Sequence, residues 1–194
     1  MHSKLQLPSG LVKDGPPGGP TWTYNTGAAL TVCCLLGEEE RAVTLAAAAI
    51  DRSKGLYDLS VVDPDRRFWW DQTYFVQLLI EGLVTFIETF GSSHEKLADA
   101  AAAEVEREMG YLLSELRDRD GLTWRNWRLY RIGEVQEERF REVCGEAPGR
   151  QEGWDESERW IMKGVEVGRR KLCKTLLGSA GSARALCIAG RLGV

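Results

Sequence analysis

The sequence predicts an all-α fold of helical hairpins, arranged as in an α/α toroid. Three observations lead to this prediction. Apolar residues recur at helical spacing through most of the 194 residues. Short links alternate with longer connectors that are rich in aromatic residues. A similar phrase precedes three aromatic clusters, namely Gly10-Leu11-Val12, Gly55-Leu56-Tyr57 and Gly121-Leu122-Thr123. Stacked hairpins that bury their apolar faces against one another produce such a pattern.

The chain divides into two parts. Residues 1–21 form a loop-rich N-terminal segment, because proline and glycine fill positions 15–20. Residues 22–194 form a helical domain, which we interpret as a partial α/α barrel. Its first helix is expected over about Thr26–Leu36 and its second over about Glu39–Ser53, each followed within two residues by a glycine.

A third helix is expected from Asp71 to Phe90, after an irregular stretch with a short strand at Leu59–Val62. The helix is apolar except for one narrow polar stripe, formed by Gln77, Glu81, Thr85 and Glu88. We therefore expect it to be packed on several sides and not to span a membrane.

A capping box at Ser92–Glu95 predicts a fourth helix, which runs to about Arg117. Its apolar stripe consists of Leu97, Ala101, Val105, Met109, Leu112 and Leu116. The stretch from Leu122 to Tyr130 is expected to be extended. Further helices are expected over residues 134–143, 155–177 and 179–192.

Composition excludes several classes of function. The net charge of −4 provides no basic surface for a nucleic-acid partner. The five cysteines form no CxxC motif and the only histidines are His2 and His94, so the sequence indicates no metal site, no cofactor and no histidine-based catalysis. No apolar leader opens the chain, and the sequence leaves the compartment open.

Aromatic residues interleaved with amides and carboxylates suit sugars, because a pyranose ring stacks on an aromatic face while its hydroxyls need donors and acceptors. If the hairpins curve into a ring, the connectors gather at one end and line a pocket. The candidate binding residues are Trp22, Tyr24, Asn25, Trp69, Asp71, Gln72, Trp124 and Asn126. The alternative role for Asn25 and Asp71 is helix capping. Trp70, Trp127 and Trp160 are expected in the core.

No pair of residues with the spacing of catalytic carboxylates stands out. Glycoside hydrolysis usually needs two carboxyl groups across the scissile bond. The chain has no adjacent pair of aspartates, and Asp63-Pro64-Asp65 has the composition of a turn. The sequence therefore predicts no catalytic residue.

Two segments carry a family resemblance. GLVKDG at residues 10–15, followed by WTYNTG at 22–27, resembles the GLVxDG…WTYNTG signature of glycoside hydrolase family 76, the endo-α-1,6-mannanase-like proteins of fungi and bacteria. Asp71–Leu83 and Ala180–Leu192 also resemble fungal members. The resemblance implies an (α/α)6 barrel, of which this chain would be the later, incomplete part. It also implies a mannan-type oligosaccharide as partner, with Tyr24, Asn25 and Asp71 lining the cleft.

In that family the catalytic pair of neighbouring aspartates lies upstream of the stretch resembled here, so no catalytic residue is carried over. The family is largely extracellular or associated with the cell wall. Two hypotheses follow. The chain is the C-terminal part of a hydrolase and exposes two open apolar faces, or it is a non-catalytic glycan-binding or α-helical interaction protein. A sugar epimerase of the α/α type would need catalytic histidines, and His2 and His94 are poorly placed for this.

Overall fold

The computed structural model describes residues 5–15, 19–59, 61–117, 121–127, 163–164 and 174–193. Within these residues the chain is mainly helical and forms no β-strand, which confirms the all-α class. The five α-helices of this part are α1 (Thr23–Leu36), α2 (Glu39–Ala49), α3 (Thr73–Phe90), α4 (Glu95–Tyr111) and α5 (Leu176–Ala189). A π-helical turn, Leu112–Leu116, continues α4, and a 3₁₀ turn, Gly190–Leu192, continues α5.

Helix α3 lies at the centre of an inner layer, and it packs most extensively against α1 on one side and α5 on the other. Glycines permit these close approaches. A Cβ atom on Gly27 of α1 would lie 2.3 Å from the carbonyl oxygen of Leu78, and one on Gly181 of α5 would lie 2.7 Å from the Cα atom of Tyr74. Helices α2 and α4 pack behind this layer.

The three inner helices run parallel, with their N-termini at one end of the layer. The Asp71 side chain, just before α3, accepts a hydrogen bond from the first amide of α1 at Thr23. The contacts along α3 and α5 follow the same order in both segments. Glu81 pairs with Arg184 at 2.7 Å, and two turns later Glu88 pairs with Arg191 in the 3₁₀ turn that continues α5. The connectors that precede α1 and α3 therefore meet at the same end.

The polar stripe predicted on α3 is half-buried or exposed, and three of its residues contact Arg184 of α5 or Arg191 of the following 3₁₀ turn. By length and composition alone α3 could cross a membrane, a test that core helices also pass. In this structure it packs between α1 and α5. The expectation that it does not span a membrane stays a prediction.

Several predicted boundaries differ from those observed. Helix α1 begins three residues before the predicted Thr26 and ends, as expected, at Gly37 in the left-handed conformation. Helix α2 ends at Ala49 and not at Ser53, because the Asp51 carboxylate accepts hydrogen bonds from the Ser53 amide and hydroxyl and forms a turn there.

The capping box before α4 is not formed. His94 occupies the cap position and makes no capping hydrogen bond through its side chain. The apolar stripe of this helix is confirmed, since Ala101, Val105 and Met109 are buried. The described residues of the predicted strand at 59–62 lie in turns and bends. The helix predicted over 134–143, most of that over 155–177, residues 128–130 and Trp160 lie outside the described residues.

The three repeated phrases have a structural counterpart. The third residue of each phrase forms an isolated antiparallel β-bridge, in the pairs Gln6–Val12, Tyr57–Trp69 and Arg117–Thr123. Gly10 and Gly121, which open two of these phrases, adopt positive φ angles of 90° and 81°. The first and third phrases thus close turns of the same length, whereas Tyr57 in the second pairs with a residue twelve positions further along the chain.

Candidate functional site

The candidate site lies where the N-terminal ends of α1, α3 and α5 meet. Asp71 fixes this end of the layer. Its Oδ2 atom accepts hydrogen bonds from the amide and the hydroxyl of Thr23, both at 2.9 Å, and its Oδ1 atom accepts one from the amide of Gln72 at 2.6 Å. The expectation that Asp71 caps its own helix is therefore wrong: the N-cap position of α3 is Gln72, and the Asp71 side chain satisfies the first amide of α1 instead.

An aromatic cluster borders Asp71 on the side of α1. The Trp22 ring lies 4.9 Å from the Trp70 ring and 6.1 Å from Phe75, and the Tyr24 ring lies 4.7 Å from Phe75. These four side chains are half-buried, so each leaves part of a ring accessible. The Trp70 indole N–H donates to the carbonyl of Gly55 at 2.7 Å, which fixes the orientation of this ring.

Polar groups lie on the side of α5. The Tyr74 ring lies 4.5 Å from the Phe75 ring. Its hydroxyl donates a hydrogen bond to the side-chain oxygen of Gln72 and accepts one from the Arg125 guanidinium at 3.0 Å. The backbone carbonyl of Arg125 accepts from the amide and hydroxyl of Thr73 at the start of α3. This connector is thereby held against the N-terminus of α3.

Trp124 lies in the same connector and is half-buried. The Lys174 ammonium, just before α5, lies 4.6 Å from the centre of the Trp124 ring, within the range of a cation–π contact. Asn126 is buried and pairs with Gln72 in an isolated β-bridge. Its backbone position therefore joins the connector to the start of α3.

The structure changes the role expected of Trp69. Its side chain is 0% exposed and packs between Tyr57 and Trp127, at centroid distances of 6.2 and 6.3 Å. The ring offers no face to a ligand in this arrangement. Trp70, predicted to lie in the core, occupies the accessible position beside Trp22, whereas Trp127 is buried as predicted.

Asn25 lies in the first turn of α1 and is half-buried, and it does not cap the helix. Its Nδ2 atom is buried and has no hydrogen-bond partner of good geometry among the described residues. Because this atom is buried, a ligand does not reach it in the present arrangement, and Asn25 contributes to the site through its position beside Tyr24.

Burial shifts the titration of two site residues. It raises the pKa of Tyr24, and the neighbouring Asp14 carboxylate raises this pKa further by accepting a hydrogen bond from the hydroxyl. Burial also raises the pKa of Asp71 to about 6, although the hydrogen bonds from Thr23 and Gln72 oppose this shift. The tyrosine hydroxyl remains a neutral donor and acceptor at physiological pH.

Sequence reasoning missed Trp70, Tyr74, Phe75 and Arg125 as members of this site. The sequence Trp124-Arg125-Asn126-Trp127 could have indicated Arg125, because a cation between aromatic residues often contacts a ring. The guanidinium of Arg125 does lie 5.6 Å from the centre of the Tyr74 ring.

A buried ionic cluster on α4 was also missed. Glu104, only 3% exposed, accepts hydrogen bonds from Arg52 and Arg107 and from the Tyr57 hydroxyl. Glu108, with no exposed surface, accepts one from the Trp69 amide at 3.2 Å. The indole N–H of Trp127 also donates to Glu108, at 2.6 Å. Burial raises the pKa of Glu108 to about 8 although the charge of Arg107 opposes it. Lacking access to solvent, Glu108 anchors two connectors to α4.

Most functional groups at the described site are suited to binding a ligand and few are suited to catalysis. Asp71 accepts three hydrogen bonds within the fold, and Asp14 is exposed. No group of three or more potential metal-ligating side chains occurs in the described part of the chain. Half-buried rings, amides and hydroxyls remain as the groups that a ligand can contact.

Comparison with known proteins adds one relative. The Meiotically up-regulated gene 191 protein of Schizosaccharomyces pombe is 34% identical over 186 residues, which cover 88% of this chain and 41% of that protein. The chain thus spans less than half the length of the relative that it matches. No protein-family model matches the chain, and no solved structure matches it.

Proposed function

We propose that this chain binds a glycan of the α-1,6-mannan type at the end of the inner layer that carries Trp22, Trp70 and Phe75. We also propose that the chain forms part of an α/α toroid related to family 76 glycoside hydrolases. The observation that carries the proposal is the accessible aromatic cluster beside the polar groups of Asn25, Gln72 and Arg125. Aromatic faces with adjacent amide and guanidinium donors match the two kinds of surface on a sugar.

The parallel inner helices favour the toroid. In a ring of hairpins the inner helices run in one direction, and the connectors before them gather at one end. Here α1, α3 and α5 are parallel, and the connectors at 5–15, 55–72 and 121–127 reach their N-terminal ends. The motif resemblance at residues 10–15 and 22–27 falls on two of the segments that border the proposed site.

The proposed role is binding without turnover by this chain alone. A hydrolase of this kind needs two carboxyl groups across the scissile bond, and the Asp71 carboxylate already accepts three hydrogen bonds within the fold. In a longer protein of the relative's length, the remaining part would supply the catalytic pair.

The proposal is tested by titrating the full chain with α-1,6-linked mannooligosaccharides and measuring heat and tryptophan fluorescence. We expect saturable binding that Trp22→Ala weakens at least about tenfold and Trp22→Phe weakens less, because a phenyl ring still stacks. His94→Ala, at the opposite end of α3, is the control and should bind normally. Binding to no glycan by a folded chain would refute the proposal and favour the α-helical interaction protein.

A further inference from the structure

Asp14 carries an exposed carboxylate beside the candidate site, and the proposed function does not yet use it. Its backbone is fixed, because the Asp14 amide donates a hydrogen bond to the carbonyl of Pro20 at 2.8 Å. The two sides of this loop are in close contact, since a Cβ atom on Gly19 would lie 1.8 Å from the Asp14 carbonyl oxygen. The loop therefore holds an exposed charge in a defined position.

Two contacts place this loop against the start of α1. The amide of Val12 donates a hydrogen bond to the hydroxyl of Thr26 in the first turn of the helix, at 3.1 Å. Pro20, the partner of Asp14, lies only two residues before Trp22, the N-cap residue of α1. Asp14 consequently lies at the end of the inner layer that carries the aromatic cluster.

The Asp14 side chain borders the aromatic cluster through Tyr24. The Asp14 carboxylate accepts a hydrogen bond from the Tyr24 hydroxyl, and the Tyr24 ring lies 4.7 Å from the Phe75 ring. An ionised carboxylate has about four acceptor positions and no donor. Because the Asp14 side chain is exposed, acceptor positions that Tyr24 does not use are open to solvent. A ligand that contacts them must supply hydrogen-bond donors.

We infer, on the basis of the glycan binding proposed above, that Asp14 contacts the ligand and accepts hydrogen bonds from two adjacent hydroxyls of one sugar ring. A sugar that stacks on the aromatic cluster covers its apolar face, and its hydroxyls project from the edge of the ring. The two oxygens of a carboxylate accept from two neighbouring hydroxyls at once, and hydrogen bonds to a charged acceptor are stronger than neutral ones.

This contact makes Asp14 a specificity-determining residue. An α-1,6 linkage leaves the secondary ring hydroxyls of each sugar free, so adjacent donors are available along the whole chain of such a glycan. A sugar whose adjacent hydroxyls are absent would leave the Asp14 carboxylate without its donors and would bind more weakly.

The first test is calorimetric titration of the full chain with an α-1,6-linked mannotriose. Asp14→Ala should raise the dissociation constant at least about tenfold, because both charge-assisted hydrogen bonds are lost. Asp14→Asn keeps the shape but offers one acceptor oxygen, so its affinity should lie between those of the native chain and Asp14→Ala. The control is Asp99→Ala, which makes the same change of charge at an exposed position of α4 and should bind normally. The urea midpoint should be the same for all four proteins.

The second test identifies the hydroxyls by a double-mutant cycle between protein and ligand. Trisaccharides that lack one secondary hydroxyl at a time are titrated into the native chain and into Asp14→Ala. Removal of either of two adjacent hydroxyls should weaken binding to the native chain and change binding to Asp14→Ala much less, because the partner is already absent.

Native affinity in Asp14→Ala would overturn the inference and leave the proposed function standing. So would deoxy sugars that lose equal affinity for both proteins, because Asp14 would then not contact the hydroxyls. A lower urea midpoint in parallel with weaker binding would assign Asp14 a structural role and would also overturn it. A folded native chain that binds no glycan would refute the proposed function, and the inference with it.

Discussion

Asp71 allows a direct measurement of how the site end of the layer is held together. The carboxylate is 1% exposed, and burial raises its pKa from 3.8 to about 6 against the opposing hydrogen bonds. The folded state therefore binds a proton more tightly than the unfolded state. The stability that this group contributes is fully present below about pH 3.8 and is lost as the pH rises through 6.

The perturbation is Asp71→Asn, which has nearly the same shape and does not titrate. A pKa difference of about two units corresponds to about 3 kcal/mol in free energy of unfolding. Between pH 4 and pH 7.5, the free energy of unfolding of the native chain should fall relative to that of Asp71→Asn by about 2–3 kcal/mol. Glu108 and other titrating groups are common to both proteins, so their contributions largely cancel in this difference.

The assay is urea unfolding at both pH values, followed by circular dichroism. Asp99→Asn removes an exposed carboxylate on α4 and serves as the control, with an expected change below about 0.5 kcal/mol. A difference that rises with pH would refute the reasoning. It would mean that the three donors from Thr23 and Gln72 hold the pKa of Asp71 below its ordinary value, so that the carboxylate is a net stabilising cap.

Two further predictions concern packing and also use urea unfolding. Glu108→Ala leaves the Trp69 amide and the Trp127 indole N–H without their acceptor in the core. We expect this substitution to lower the free energy of unfolding by about 3–5 kcal/mol. The control is Glu106→Ala at an exposed position of α4, which should change the free energy of unfolding by less than about 0.5 kcal/mol. Gly27→Ala places a Cβ 2.3 Å from the backbone of α3 and should destabilise by about 1–3 kcal/mol. The control is Gly110→Ala in α4, where no atom lies within 4 Å of the new Cβ, and it should stabilise the fold by up to about 1 kcal/mol. A loss of stability at Gly110 as large as that at Gly27 would contradict the steric argument.

The order and type of the described helices could be predicted because helical periodicity and stop signals are local. Gly37 ends α1 where expected, and the apolar surface of α3 correctly indicated burial on several sides. The start of α1 could not be placed, because its cap comes from Asp71, 48 residues along the chain. At the end of α2, continued helix competes with a turn in which the Asp51 side chain accepts a hydrogen bond from the Ser53 amide. The hydrophobic pattern does not show which of the two conformations forms.

Sequence reasoning named stretches that border the candidate site, but not which of their side chains are accessible. Trp69 and Trp70 are adjacent in an extended stretch, where successive side chains point to opposite sides. Which of them faces the core depends on the pairing of Tyr57 with Trp69, a contact that sequence periodicity does not show. Glu108 looked like an ordinary residue of an amphipathic helix, since its partner Trp127 lies 19 residues away.

The location of Asp71 has a consequence for any mutational study of the site. Asp71 joins α1 to α3 while its neighbour Gln72 contacts Tyr74, so the same short stretch holds the fold and borders the proposed ligand. A loss of binding in an Asp71 variant would therefore not distinguish a damaged helix start from a lost contact. Trp22 is half-buried and contributes ring contacts with Trp70 and Phe75, and no described hydrogen bond is made by its side chain. Its replacement separates the two effects, because binding should fall further than stability if the cluster is a ligand surface.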